Sequence, residues 1–282
     1  MYPVIHFLGM EISSWTLMVT IGLLAALFIT NALAIKRKFS FKLQRLLIIN
    51  FLITIIIALF GAMLFQAFYD FIKYGGEFNL FGSGLTFYGG FIFGVLAFLG
   101  VWFYGSRIIG IGNEAKEKFS DIADIAACVI PMAHGFGRIG CFLAGCCHGA
   151  PTKAWYGVMM YTPTGYQKVV PVQLYEAIVL FAIAGVLFWL FFKGSEMNKK
   201  NVPLLPLYTI GYGVWRFFIE YARTDDRGSL PVLTFLSPSQ LTAIILIIAG
   251  VAYLWIWYQW KKKKSDEVRA ETPMASDEQN EK

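Results

Sequence analysis

The sequence predicts an all-α, polytopic membrane protein with seven transmembrane helices. Apolar residues make up 57% of the 282 and charged ones only 15%. The mean hydropathy of +0.59 lies outside the range of soluble domains that divide their residues between core and surface. The apolar residues also gather into seven stretches of roughly 20, each long enough to cross about 30 Å of hydrocarbon.

The first stretch, Ile12 to Ile35, lacks a basic flank and is too long for the core of a cleavable signal, so it is expected to persist as a helix. Leu46 to Phe68 follows, then Leu85 to Tyr104, near whose start lies Thr86-Phe87-Tyr88-Gly89-Gly90. Ile122 to Leu143 is the fourth, and Val172 to Phe192 the fifth, preceded by Pro171, which suits a helix start. Leu204 to Tyr221 and Leu241 to Trp260 complete the set, the fourth and sixth being the least purely apolar. Ser265 to Lys282, rich in Glu, Asp, Ser and Gln, lacks the apolar residues to pack and reads as a disordered tail. The chain thus divides into a membrane domain over 1–264 and a cytoplasmic tail over 265–282.

Lysine and arginine set the orientation. The segments after stretches one, three, five and seven hold five, three, three and six of them, 17 of the 24 in the chain. The positive-inside bias then puts the N-terminus outside and the C-terminus in the cytoplasm. The net charge of +6 reports this topology and an attraction to anionic membrane lipids, and gives no reason to expect nucleic acid.

The chemistry concentrates in His134 to Gly149, where an arginine, three cysteines and two histidines sit among glycines. An arginine at bilayer depth is expensive and marks a site. Cys128 reads as a small buried hydrophobe. Cys141, Cys146, Cys147 and His148 fall on the oxidising side; they read first as a disulfide or structural thiols, with metal ligation and thiol chemistry as rivals. Their spacing fits no standard zinc pattern, and adjacent cysteines seldom both ligate one ion, so no metal or cofactor is expected.

A second cluster, Arg216, Glu220 and Arg223, falls at i, i+4 and i+7 on one helical face. It reads either as an Arg216–Glu220 ion pair with Arg223 reaching to the interface, or as part of a phosphate-ester receptor with Arg138, since the guanidinium fork matches phosphate oxygens. Gln173 and Glu176 open the fifth helix, placed either to orient an arginine or a thiol or as helix-terminus polars. Tyr88 is an interfacial anchor or a site phenol, and Gly89 and Gly90 permit close approach of a backbone or a lipid headgroup.

Together, Gly137-Arg138-Ile139-Gly140, Pro171 to Glu176, and Gly211-Tyr212-Gly213 leading into Arg216, Glu220 and Arg223 resemble the prolipoprotein diacylglyceryl transferase family over nearly the whole chain. The resemblance implies a multi-pass protein of the bacterial inner membrane. It would move the diacylglyceryl group of phosphatidylglycerol to the lipobox cysteine of a preprolipoprotein signal peptide, forming a thioether and releasing glycerol phosphate. It assigns Arg138 and Arg216 to the family's essential arginines, with Glu220 and Arg223 as companions, and Gly137 and Gly140 to its motif.

The chain departs from the family pattern in several places. Tyr88 stands where the family has histidine; Cys141, Ala144 and Cys146 replace Asn, Asn and an acidic residue; Ala62 and Thr16 take the places of an arginine and a tyrosine. The acceptor thiol needs a base, and Tyr88, His134 and His148 are the candidates. His134 is favoured because it lies one turn before Arg138. The rival readings are a membrane protein that uses its Cys/His cluster for redox or metal handling, and a lipid-binding protein without catalysis.

Overall fold

The computed structural model describes residues 3–7, 9–75, 78–82, 84–162, 165–196, 202–223 and 236–271. Its order is a hairpin of β1 (Val4–Phe7) and β2 (Met10–Ser13), then α1 (Ser14–Lys36), α2 (Phe41–Tyr74) and α3 (Phe87–Gly100). A π-turn, Val101–Gly105, carries α3 into α4 (Ser106–Ile108), and α5 (Gly112–Glu117) leads to α6 (Phe119–Ala144). A second hairpin, β3 (Val158–Thr162) and β4 (Gly165–Val169), precedes α7 (Val172–Glu196), α8 (Leu204–Ile219) with a 3-10 turn over Glu220–Ala222, and α9 (Pro238–Glu271).

The described chain is mostly helical, and six helices are long and apolar enough to cross a membrane: α1, α2, the run Phe87–Ile108, α6, α7 and α9. The expected seventh, α8, has only 16 α-helical residues, about 24 Å at 1.5 Å per residue. The all-α reading holds for a chain that is mostly helical, with two short antiparallel hairpins added. The tail, expected to be disordered from 265 onward, begins as helix, because α9 continues to Glu271; residues 272–282 lie outside the described residues. The exposed faces of the spans carry large apolar side chains such as Phe28, Ile56, Leu96, Trp189 and Ile248. Such faces suit lipid, where burying them against protein gains little.

Contacts group the chain into two compact units, Leu23–Val129 and the remainder. In the first, α2 and α3 pack at very short range. A Cβ on Gly89 would meet Gly61 O at 2.3 Å, and one on Gly61 would meet Phe93 at 2.4 Å, distances only glycine tolerates. Trp102 is fully buried, stacked on Phe98 and hydrogen-bonded through Nε1 to Ala115 O at 3.1 Å. Ser40 caps α2 by accepting from Leu43 N–H, while its own N–H and hydroxyl donate to Glu114.

The second unit holds the candidate site. Gly140 on α6 lets α1 approach, with Trp15 O 3.2 Å from the position of an added Cβ. Helices α7 and α9 both pack on α8. A strip of backbone, Gly149 to Thr152, pairs on one side with Lys168 to Val170 and on the other with Ala222 and Arg223. Gly149 sits between these partners, where a Cβ would meet Ala222 O at 2.5 Å.

Candidate active site

Glu176 is fully buried in the first turns of α7, and a carboxylate there needs partners. Arg138 Nε lies 3.1 Å from its Oε2 as an ion pair, Tyr212 hydroxyl donates to its Oε1 at 3.1 Å, and Arg223 Nη1 lies 3.7 Å from Oε2. Three elements, α6, α8 and the strip after the 3-10 turn, therefore converge on one carboxylate.

His134, one turn before Arg138, accepts the Arg138 Nε–H at its Nε2, 3.2 Å away. An arginine can only donate, so Nε2 is the acceptor nitrogen. The 3.9 Å separation of the same nitrogen from Glu176 is then proximity without a hydrogen bond. Tyr212 packs edge-on to His134 and stacks on Tyr208, which fixes the phenol beside Glu176.

Arg216 belongs to an adjoining network. Its Nη2 pairs with Glu220 Oε2 at 2.7 Å and donates to Ser239 Oγ at 2.9 Å, and Ser237 hydroxyl donates to Glu220 Oε1 at 2.8 Å. Ser237 and Gln240 form a capping box on α9: the Ser237 hydroxyl accepts from Gln240 N–H, and the Gln240 side chain accepts from Ser237 N–H. The start of α9 thus holds the Arg216–Glu220 pair in place.

Arg223 departs from the expected helical face. The α-helix stops at Ile219, and Arg223 is extended at φ −98° and ψ 149°. The bridge to Gly149 holds it there, with its guanidinium toward Glu176. Its side chain is 2% exposed, so it does not reach to the interface.

Gln173 is also fully buried and donates from Nε2 to Cys146 O at 2.6 Å, while its Oε1 has no hydrogen-bond partner among the described residues. All four cysteines are free thiols; of the first reading of Cys141, Cys146 and Cys147, a disulfide or structural thiols, this is the thiol form. Those three sulfurs lie within 4.8 Å of one another. The Cys147 thiol is held well below the usual thiol range by hydrogen bonds with Cys141 and Cys146, then by the Arg223 and Arg138 charges. Hydrogen bonds with Cys141, then with Cys147, push the Cys146 thiol up. His148 stands outside the group, its Nδ1 3.1 Å from Gly149 O.

The structure therefore gathers Arg138, His134, Glu176 and Arg223 around one carboxylate and sets Arg216 and Glu220 on the neighbouring serines. Gly140 serves helix packing, whereas Gly137 has open space where a Cβ would go. Tyr88, Gly89 and Gly90 belong to the other compact unit, where Tyr88 is 40% exposed. Gly89 faces the α2 backbone, the close approach of a chain and not of a headgroup.

The family model for prolipoprotein diacylglyceryl transferase matches residues 3–256. The chain belongs to this family. A phosphatidylglycerol–prolipoprotein diacylglyceryl transferase of Clostridium tetani is 32% identical over 89% of this chain and 96% of the relative. A second transferase of that name, from Clostridium perfringens, is 34% identical over 62% of either chain. One from Xylella fastidiosa is 28% identical over 70% of this chain and 71% of its own. Sequence reasoning quoted Tyr212 only inside its motif and did not single out Ser237 and Ser239, and all three lie in the site. Tyr212 lies one turn before Arg216, and Ser237-Pro238-Ser239-Gln240 has the spacing of a capping box, so both were open to discovery.

Proposed function

We propose that this protein transfers the diacylglyceryl group of phosphatidylglycerol to the lipobox cysteine of a preprolipoprotein signal peptide in the bacterial inner membrane, forming a thioether and releasing glycerol phosphate. The observation that carries this reading is the gathering of arginines at one site. Among the described residues, Arg138 and Arg223 lie against Glu176 and Arg216 lies against Glu220, and guanidiniums held together in this way suit a phosphodiester. Arg138 meets both His134 and Glu176 through Nε, and its planar guanidinium suits two phosphate oxygens in the fork geometry that arginine favours.

The thiolate sulfur attacks the glyceryl C3 carbon, the carbon–oxygen bond to phosphate breaks, and its electron pair leaves on the phosphate oxygen. Negative charge grows where the arginines stand, and preorganised donors stabilise such a change most. His134 acts through Arg138, because its acceptor nitrogen is already engaged. Gln173, Gly137 and Gly140 shape the lipid-binding side, with Gln173 offering its unpaired Oε1 as an acceptor.

In this reading α8, extended by its 3-10 turn to Ala222, is the seventh crossing, with the N-terminus outside and the C-terminus in the cytoplasm. This topology faces the site to the outer leaflet. The test is incubation of the purified chain with labelled phosphatidylglycerol and a lipobox peptide. Label on the cysteine peptide and none on its serine counterpart is expected. Lipid bound tightly with neither peptide labelled would replace the transferase reading with lipid binding alone.

A further inference from the structure

The transfer chemistry leaves three thiols unused, and the backbone assembles them. α6 ends with Cys146 N–H donating to Cys141 O and Gly145 N–H to Phe142 O, each at 3.1 Å, and with Gly145 at φ +79°. These are the two bonds of a Schellman motif, which sets the side chains at its C3 and C″ positions against one another. Here those positions are Cys141 and Cys146. Cys147 follows at φ +61°, a left-handed conformation that residues other than glycine seldom adopt. That conformation brings the second adjacent cysteine to the same place, so that all three sulfurs lie within 4.8 Å.

The objection that adjacent cysteines seldom serve one ion is met by this local geometry. Tetrahedral bonds of about 2.3 Å between zinc and sulfur put the sulfurs about 3.8 Å apart, so closing the cluster on an ion takes shifts of about 1 Å. Three thiolates with a divalent cation carry one net negative charge, and Arg138 and Arg223 both act on the cluster. Cys146 is exposed and the other two partly so, which gives an ion a way in.

We propose that Cys141, Cys146 and Cys147 bind a thiophilic divalent cation, zinc first among them, as three thiolate ligands, and that the fourth position takes an exogenous thiol. Three protein ligands with one exchangeable position is the pattern of zinc sites that act on a bound group. The second half rests on the transferase reading, in which the acceptor is a cysteine thiol. A thiol that coordinates zinc gives up its proton, here to solvent. Its sulfur then forms the bond to the glyceryl carbon as glycerol phosphate departs with the electron pair, and the neutral thioether, a weaker ligand, leaves the ion. Arg138 and Cys141 are i, i+3 neighbours on α6, so the metal-held sulfur and the gripped phosphate share one side of the helix.

The full chain, purified in detergent and loaded with zinc, should hold one zinc per chain by mass spectrometry, and the triple Cys→Ser variant at these positions should hold none. Replacement by cobalt should give a thiolate charge-transfer band that shifts with a lipobox cysteine peptide and not with its serine counterpart. The unmodified protein gives a second reading: cadmium should protect all three thiols from alkylation. Background zinc in fully reduced protein, or alkylation indifferent to cadmium, would overturn the site; a cobalt band indifferent to both peptides would overturn thiol binding. Zinc-loaded protein whose cobalt band answers the peptide but which transfers no lipid would refute the transferase reading and leave the metal site standing.

Discussion

A carboxylate taken out of water costs several kcal/mol unless it is paired, and Glu176 meets that cost with Arg138, Arg223 and Tyr212 together. Glu176→Gln should therefore leave buried guanidiniums uncompensated, a change worth about 3–5 kcal/mol, visible as a lower unfolding temperature in detergent together with lost transfer. Arg138→Lys and Arg216→Lys keep the charge and lose the fork. Charged hydrogen bonds are worth about 1.5–3 kcal/mol, so each variant should transfer roughly tenfold to a hundredfold more slowly. Arg223→Lys, which an interfacial residue would tolerate, should lose activity comparably because its side chain is buried against Glu176; transfer rates for the three variants decide the point. The arginines and Glu176 were legible as charges in apolar surroundings. The partner of Arg223 was not, because helical periodicity carried past Ile219 puts Arg223 beside Glu220, whereas the chain leaves the helix there.

At the scale of elements, two short segments hold the site. Gly149→Ala would push Ala222 away and, with it, the bridge that places Arg223. A strong loss of transfer is expected, while Gly137→Ala, next to open space, should fold normally. Ser237→Ala removes the α9 cap and a hydrogen bond to Glu220, at about 1 kcal/mol for the cap, read as a shift in thermal unfolding. Hydrophobic length revealed the helices, because hydrocarbon thickness imposes it. It said nothing of the hairpins, which hold few residues and have no long apolar run: Gly165 to Val169 mixes Tyr, Gln and Lys. The start of α9 was placed late for a similar reason, since Pro238 to Gln240 are helical through capping and not through apolarity.

For the whole molecule, the proposed topology and the proposed site stand together. Six helices meet the length and hydropathy of a span, and α8 carries Tyr212 and Arg216 between α7 and α9. Reporter fusions at Lys36 and Glu114 should read cytoplasmic, and those at Gly75 and Lys153 outside; an inversion at any of them would remove the outward-facing site. The number of crossings was only partly legible, because the helix that holds the charges is the one that composition recognises least. The most direct measurement of the central claim, that buried arginines grip a phosphate ester during thiol alkylation, is the rate of glycerol phosphate release from phosphatidylglycerol with a lipobox cysteine peptide, for the parent and for Arg138→Lys. Release that depends on the cysteine and falls tenfold or more in the lysine variant is predicted. Equal rates in the two proteins, or no release from the parent, would contradict it.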